Sequence, residues 1–228
     1  MTHTSPPDRP ASPAPPKRRD PKATRDRLVR AALELFTTQG YHSTTTPQIA
    51  ARAGVAEGTI YRHFDSKEHL LNEIYRAGLR LFASTVKESP PTLHCRERLE
   101  RIAAAWRDVA VHNPAVVRLV FMSRIGPLLD QKSRDLARDF RAEVEKVIAS
   151  GKSAGEVRPG SVDVWADVWL ELVGLTLERV ANRDWTPEHA GVQHVTEAAW
   201  RAMGVTGPES RSPPSVTSPP DPQQPIPA

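Results

Sequence analysis

Proline is unevenly distributed along this chain of 228 residues, and its distribution limits where a folded body can lie. Of the 22 prolines, seven lie in residues 1–22 and eight in residues 205–228. Both end segments lack aromatic residues and hold few apolar ones, so neither can bury enough surface to offset the entropy of ordering its backbone. We therefore predict disordered arms over residues 1–22 and 205–228, with a folded body between them.

The body carries apolar residues at three- and four-residue intervals, the period of an amphipathic α-helix. A first helix is predicted over residues 23–40, with Thr24 as its cap and Gly40 as the glycine that ends it. Its inward residues would be Leu28, Ala31, Ala32, Leu35 and Phe36. Later helices are expected over residues 92–112, 114–124, 127–150, 161–182 and 187–203, with a loop over 151–160. No strand pattern stands out, so the fold class is all-α.

Residues 45–64 contain two short helices joined at a glycine. Thr45 and Gln48 match a capping box, Pro47 belongs in a first turn, and Gly54 breaks the first helix. The second short helix is expected over Glu57–Phe64. The inward residues would be Ile49, Ala50, Ala53, Ile60 and Phe64. This is the helix-turn-helix pattern, which places its second helix in the major groove of DNA.

A long amphipathic helix follows at residue 65. Asp65 is expected to cap it, with Glu68 at the third helical position. Its apolar side would consist of Leu70, Leu71, Ile74, Leu79 and Phe82.

The polar residues of the short second helix favour contact with nucleic acid. Gly58 would sit inside a helix, where glycine costs about 1 kcal/mol, and close approach to a base edge or another backbone is one reason to keep it. Lys67 would lie in the first turn of the long helix, where a cation opposes the helix dipole unless a phosphate is also bound there. Two alternatives stay open: Lys67 as a surface lysine, and His63 as a packing histidine.

The stretch "ALELFTTQGYHSTTTPQIAARAGVAEGTIYRHFDSKEHLL" resembles the N-terminal DNA-binding domain of the TetR family of bacterial transcriptional regulators. The resemblance covers residues 23–72. It implies a three-helix helix-turn-helix DNA-binding domain there and a helical ligand-binding and dimerisation domain over residues 73–204. By the family pattern, the residues facing DNA would be Thr45, Gly58, Thr59, Tyr61, Arg62, His63 and Lys67. Pro47 and Arg62 depart from the usual pattern, so the recognised bases do not follow from the resemblance.

The resemblance further implies a repressor that binds a palindromic operator as a homodimer and is released by a small-molecule effector. Its partners would be double-stranded operator DNA, a second copy of the chain and an unidentified effector. The chain carries a basic leading segment, and its residues Lys17–Arg30 would add phosphate or minor-groove contacts. The alternative for this segment is a solvated tail kept soluble by its charge.

The predicted helix over residues 161–182 is apolar on several faces, which favours burial both within the chain and against a twin. Candidates for the dimer interface are Val168, Gly174, Leu175, Val192, Val195 and Ala199. Candidates for lining an effector pocket are Trp106, His112, Phe121, Met122, Trp165 and Trp169. For both sets the alternative is that these residues belong to the core of one protomer.

Other classes of protein fit poorly. The longest apolar runs are too short to span a membrane, and the first residues lack a secretory signal, so a cytoplasmic, nucleoid-associated location is expected. The "GKS" at residues 151–153 lacks the leading glycine of a phosphate-binding loop, and His189 and His194 have the wrong spacing for a metal site. We therefore expect no enzyme activity, no metal and no cofactor. Cys95 is either a packing residue or a reactive thiol.

Two rival functions remain open on the sequence alone. One is a DNA-binding regulator that answers to a protein partner, and the other is a helical adaptor that binds no DNA.

Overall fold

The computed structural model of the protein describes residues 20–122 and 124–205. In these ranges the chain forms eight α-helices, and the only extended pairing is one isolated antiparallel bridge between Val157 and Gly204. The helices are α1 (Pro21–Thr38), α2 (Thr46–Ala53), α3 (Lys67–Glu88), α4 (Cys95–His112), α5 (Pro114–Val117), α6 (Gln131–Ser153), α7 (Val162–Ala181) and α8 (Ala190–Met203). The prediction of an all-α fold is confirmed.

The N-terminal unit consists of α1, α2 and a short 3₁₀ helix over Glu57–Arg62. The predicted capping box of Thr45 and Gln48 is present, and Gly54 ends α2 in the left-handed conformation with φ of 65°. The apolar residues predicted to face inward are buried, including Ile60 and Phe64, each 2% exposed. The helical hairpin is therefore confirmed.

The second helix of the hairpin differs from the prediction in type and length. It was expected to be α-helical over Glu57–Phe64, but it is a 3₁₀ helix that ends at Arg62. Its bonds run three residues back, from Thr59 N to Ala56 O at 2.9 Å and from His63 N to Ile60 O at 3.0 Å. A six-residue segment that contains Gly58 and has no side-chain cap has little to favour the α form.

Two predicted helix caps are wrong. Asp20 caps α1 rather than Thr24, which is buried, because Pro21 suits the first helical position and lets the helix begin earlier. Ser66 caps α3 rather than Asp65, and its hydroxyl accepts a hydrogen bond from His69 N at 3.0 Å. The first-turn position of Lys67 is unchanged by this correction.

A cluster of aromatic rings around Trp106 forms the centre of the larger helical body. The Trp106 side chain is fully buried, and its ring nitrogen donates to Thr85 Oγ1 at 2.6 Å. The rings that surround it, with centroids 5.4–5.8 Å away, are Phe82, Phe121, Phe140 and Trp169. This cluster joins α3, α4, α6 and α7 into one core.

The helix boundaries of the body also depart from prediction in places. The predicted helix over 114–124 is a single α turn followed by a π-helical segment, Arg118–Met122. The loop expected over 151–160 starts only after Ser153, and Gly151, inside α6, packs closely against Cys95. The final helix begins at Ala190, capped by the His189 ring.

The predicted disordered arms lie almost wholly outside the described residues. At the N-terminal edge, Pro21 and Lys22 are helical, so the predicted boundary of the arm at residue 22 is wrong. At the other edge, Val205 N donates to Glu156 O at 2.8 Å. The predicted domain boundary at residues 72 and 73 falls inside α3, which runs unbroken from Lys67 to Glu88.

Candidate DNA-binding site and effector cleft

The N-terminus of α2 and the 3₁₀ helix are joined through their exposed side chains. The Thr46 hydroxyl lies 3.1 Å from the Tyr61 hydroxyl, and the Tyr61 side chain is 55% exposed. Thr45 is exposed beside them, where its side chain caps α2. Three hydroxyl groups therefore share one edge of the N-terminal unit, and hydroxyls of this kind are common phosphate ligands.

Gly58 lies on the exposed side of the 3₁₀ helix. A Cβ atom placed there would meet no atom of the described residues within 4 Å, and the backbone at Gly58 does not have the positive φ that favours glycine. Neither packing nor backbone conformation inside the protomer requires a glycine here. The requirement for glycine at position 58 therefore comes from outside the protomer.

Lys67 is more constrained than the sequence indicated. Its ammonium donates to Tyr41 O at 3.0 Å and Thr44 O at 2.8 Å, and it lies 4.2 Å from the centre of the Tyr41 ring. Burial of Tyr41, together with the nearby Glu68 carboxylate, raises the pKa of Tyr41 to about 12. Since an ammonium has three donors, Lys67 anchors the loop before α2 and keeps one donor available for another acceptor.

The remaining predicted DNA-facing residues share the surface of the 3₁₀ helix. Arg62 is exposed and makes no ion pair among the described residues, whereas Thr59 and His63 are half-buried. The His63 ring centre is 6.4 Å from that of Phe64, so this histidine also has a packing contact. All seven predicted residues thus lie on the α2 N-terminus, the 3₁₀ helix and the start of α3.

Several arginines near this surface are committed to internal contacts. Arg52 pairs with Glu34 at 2.6 Å and holds α2 against α1. Arg25 pairs with Glu73 at 2.9 Å and lies over the Phe64 ring at 5.0 Å. Arg30 is exposed on α1, while Lys17, Arg18 and Arg19 of the predicted basic arm lie outside the described residues.

A cleft of about 610 Å³ opens between α3, α6, α7 and the π-helical segment. Of the six predicted pocket residues, Phe121 and Met122 line it. Its other lining residues are Tyr75, Leu79, Val120, Ala137, Phe140, Arg141, Leu170, Glu171, Gly174, Leu175 and Glu178. A π-helical segment is a frequent feature of functional sites.

The other four predicted pocket residues lie elsewhere. Trp106 and Trp169 belong to the buried aromatic cluster behind the cleft wall. His112 is exposed, and its ring nitrogen is 2.8 Å from Asp108 O. Trp165 is half-buried and packs beside Gly160, with its ring nitrogen buried and without a partner among the described residues. Aromatic character alone therefore did not distinguish cleft wall from core.

The charged residues around the cleft were missed from the sequence. Arg141 donates to Asp167 and to Glu145, the latter at 2.8 Å, and these two hydrogen bonds raise the pKa of its guanidinium. Glu171 and Glu178 make no ion pair among the described residues. Burial raises the pKa of the Tyr75 phenol in the cleft wall. A signal existed in the sequence, since Glu171 and Glu178 lie two turns apart on the predicted helix over residues 161–182.

The predicted dimer-interface residues fall into two groups. Val192 and Ala199 are 3% and 0% exposed and lie inside the protomer, where α8 packs against α7. Leu175 is 37% exposed, and Val168, Gly174 and Val195 are half-buried. Val164, one turn before Val168, is 51% exposed and was not among the predicted set. Gly174 and Leu175 also line the cleft, which leaves Val168 and Val195 as the predicted residues available to a partner surface on α7 and α8.

A polar network ties α3 to the start of α6. Arg76 is 7% exposed and donates to Asp130 at 2.8 Å, to Glu73 at 2.6 Å and to Ser133 at 2.9 Å. Asn72 accepts from Asp130 N at 2.9 Å. Burial alone would raise the pKa of Asp130, but the hydrogen bonds from Arg76 and Ser133 lower it to about 2.

Cys95 is buried at the start of α4, with its sulfur 3.6 Å from Val147 O. Burial, with the Glu156 carboxylate nearby, raises the pKa of the thiol to about 11. The described residues hold no group of three or more His, Cys, Asp or Glu side chains placed to bind a metal. No helix in the described ranges is both long enough and apolar enough to cross a membrane.

Comparison with known proteins supports the resemblance seen in the sequence. Residues 28–74 match the family model described as bacterial regulatory proteins, tetR family. The HTH-type transcriptional repressor KstR2 of Rhodococcus jostii (strain RHA1) is 32% identical over 149 residues, covering 61% of this chain and 70% of that protein. The fatty acid metabolism regulator protein of Bacillus subtilis (strain 168) is 26% identical over 136 residues, covering 58% of this chain and 70% of its own length.

Solved structures of similar fold lead to the same family. A crystal structure described as a putative tetR family transcription regulator from Shewanella sp. PV-4 has a TM-score of 0.64 at 26% identity, covering 80% of this chain and 99% of that one. KstR2 of Mycobacterium tuberculosis shares the fold, with a TM-score of 0.65 at 22% identity over 80% of this chain and 95% of its own. The helical arrangement and the helix-turn-helix unit are those of a bacterial transcriptional regulator. The chain belongs to the TetR family, and it is a DNA-binding transcriptional regulator.

Proposed function

We propose that this regulator is a repressor that binds a palindromic operator as a homodimer and leaves it when a small molecule occupies the cleft. The observation that carries the proposal is Gly58: it is exposed and required by neither packing nor backbone conformation, on the helix that the fold presents to a major groove. Close approach of this helix to DNA explains the glycine.

The predicted contacts then divide into two kinds. Thr45, Tyr61 and the remaining donor of Lys67 would bind phosphates and fix the position of the unit on the duplex. Arg62, an exposed arginine without an ion pair among the described residues, would read base edges, since arginine binds guanine through two hydrogen bonds. Thr59 and His63 would supplement these contacts at the edges of the same surface.

The cleft favours a small molecule over a protein as the controlling partner. Its volume of about 610 Å³ lies within the usual range for small-molecule sites, and much of its wall is apolar or aromatic. A protein partner would instead be expected to use a broad exposed patch. We therefore assign residues 73–204 to effector binding and dimerisation, and residues 23–72 to DNA.

Repression, rather than activation, is supported by the named function of KstR2 as a repressor.

The test is selection of genomic fragments by the full-length protein, followed by gel shift on the selected sequence and on DNA upstream of its own gene. We expect binding to a palindrome that weakens steeply with salt, since each neutralised phosphate adds about 0.9 to the log–log slope. Tyr61→Phe should weaken binding to all sequences, whereas Arg62→Ala should change which sequence is preferred.

Two results would count against the proposal. Absence of binding to any genomic fragment at low salt would contradict a role as repressor. An unchanged sequence preference in Arg62→Ala would contradict the assignment of Arg62 to base reading, while leaving the rest of the proposal intact.

A further inference from the structure

The cleft between α3, α6 and α7 combines aromatic walls with uncompensated negative charge. Phe121, Phe140 and Tyr75 line it, and aromatic rings attract cations. Glu171 and Glu178 also line it, and neither has an ion-pair partner among the described residues. A cleft that combines an aromatic wall with unpaired carboxylates favours the binding of a molecule with an apolar body and a positive charge.

The single basic residue of the lining does not offset this charge. Arg141 is held by two carboxylates, those of Glu145 at 2.8 Å and of Asp167, and it also donates to Asp163 O at 3.1 Å. Its guanidinium is therefore already neutralised and has few donors left for a carboxylate or phosphate of a ligand. Arg141, the basic residue that could bind an anion, is already bonded across the α6–α7 contact.

The helix that supplies the largest share of this wall, α7 with five of the thirteen lining residues, is acidic as a whole. Along Val162–Ala181 there are four acidic side chains and one basic one, Arg179. That arginine pairs with Asp184 at 3.2 Å, beyond the end of the helix, and does not line the cleft. Arg118 reaches the end of α7 as well, but its guanidinium donates to Ala181 O and Asn182 Oδ1, so Glu171 and Glu178 are the α7 carboxylates of the lining without an ion pair among the described residues.

We propose that the effector is a lipophilic cation, with its apolar body against Phe121 and Phe140 and its charge near Glu171 and Glu178. This rests on the proposed effector role of the cleft and specifies its chemistry. The same charges disfavour fatty acids, acyl thioesters of nucleotides and other amphipathic anions, because a like charge near an unpaired carboxylate is repelled.

Gly174 supplies a clean way to block the cleft. It lies on α7 in the lining, and a Cβ atom placed there would meet nothing within 4 Å among the described residues. A leucine at this position would therefore extend into the cleft rather than into the core. Glu188, which is exposed in the loop before α8 and absent from the lining, offers a matched control for loss of one carboxylate.

The experiment compares two probes of the same shape and opposite charge, tetraphenylphosphonium and tetraphenylborate. Binding to the full-length protein is measured by isothermal titration calorimetry and by quenching of tryptophan fluorescence. We expect the phosphonium to bind at least about ten-fold more tightly than the borate, because two near-surface carboxylates each contribute a few-fold. Glu171→Gln with Glu178→Gln should remove most of that preference, Gly174→Leu should abolish binding, and Glu188→Gln should change neither.

The outcomes separate this inference from the proposed function. Equal or tighter binding of the borate, no binding of the phosphonium, or a preference unchanged in the double glutamine variant would overturn the inference. If an anionic compound bound in the cleft and released operator DNA, with the release lost in Gly174→Leu, the repressor function would stand and the cationic class would be wrong. If operator binding were intact but no compound ever released it, the effector role itself would fail.

Discussion

At the scale of single residues, the glycines show how different reasons select the same amino acid. Gly40 and Gly54 have φ of 87° and 65°, a region that other residues rarely adopt. Gly78 has an ordinary backbone, but a Cβ atom there would come within 2.8 Å of Val120. Gly58 meets neither condition. We therefore expect that glycine is needed there because the 3₁₀ helix closely approaches another molecule.

Gly58→Ala is therefore predicted to separate stability from DNA binding. Stability should stay equal or rise by up to about 1 kcal/mol, since alanine loses less backbone entropy than glycine. Operator affinity should fall by about 1–3 kcal/mol, the usual cost of one disturbed base-pair contact. Urea unfolding and fluorescence anisotropy with labelled operator measure the two quantities. Gly126→Ala also faces open space but lies outside the residues predicted to face DNA, so as the control it should change stability in the same way as Gly58→Ala and leave operator affinity unchanged.

Lys67→Met is predicted to affect both stability and binding. Removing the ammonium leaves the Thr44 carbonyl without its partner and leaves the Tyr41 carbonyl with only the Thr44 N–H, which should cost about 1–3 kcal/mol in the free energy of unfolding. Binding should weaken for operator and random DNA alike, because the loop that positions Thr45 is loosened. A variant with full stability and only a shallower salt dependence would show that Lys67 serves phosphate binding and no anchoring role.

At the scale of elements, the predictable features were the ones with local causes. The Thr45–Gln48 capping box and the glycine at the end of α2 depend on residues within one turn, and both were predicted correctly. Thr24 and Asp65 failed because a better-placed neighbour, Asp20 or Ser66, competes for the same helix end.

The contacts between elements could not be predicted in the same way. Arg76 and Asp130 are 54 residues apart, and Lys67 and Tyr41 are 26 apart, so no periodicity in the sequence pairs them. For the same reason the aromatic residues of the cleft wall could not be told from those of the core. Which rings face a void depends on how α3, α6 and α7 pack, and that is a property of the assembled helices.

The link between α3 and α6 should make stability depend on pH in acid. The pKa of Asp130 is lowered to about 2 in the folded protein, below its value in an unfolded chain. The unfolded state therefore binds more protons between about pH 4 and pH 2, and the contribution of Asp130 to stability is full above this window and lost as the pH falls through it. Asp130→Asn should flatten this part of the curve of unfolding free energy against pH. Asp135→Asn, on the same helix but outside the Arg76 network, should leave the slope unchanged.

At the scale of the whole molecule, α3 connects the two proposed activities. Lys67 stands at its first turn beside the DNA-facing surface, and Tyr75 and Leu79 line the cleft two to three turns later, about 12–18 Å along the helix axis. A shift of α3 caused by a ligand would therefore reach the DNA-facing surface directly. The buried Arg76, which lies on α3 between Tyr75 and Leu79, and its network with α6 would move with it.

The proposed homodimer would use an apolar surface on α7. Val164 is 51% exposed on α7, and Val168 follows one turn later on the same side of the helix. Val164→Lys with Val168→Lys should place two charges in an apolar interface and yield monomers by size-exclusion chromatography with light scattering. Operator affinity should fall about 100-fold or more, because the second half-site is then no longer bound intramolecularly.

The control, Leu81→Lys with Val111→Lys, changes two apolar residues that are 40% and 44% exposed on other helices, and it should remain dimeric. A dimer that survives the α7 substitutions with its operator affinity intact would place the interface elsewhere.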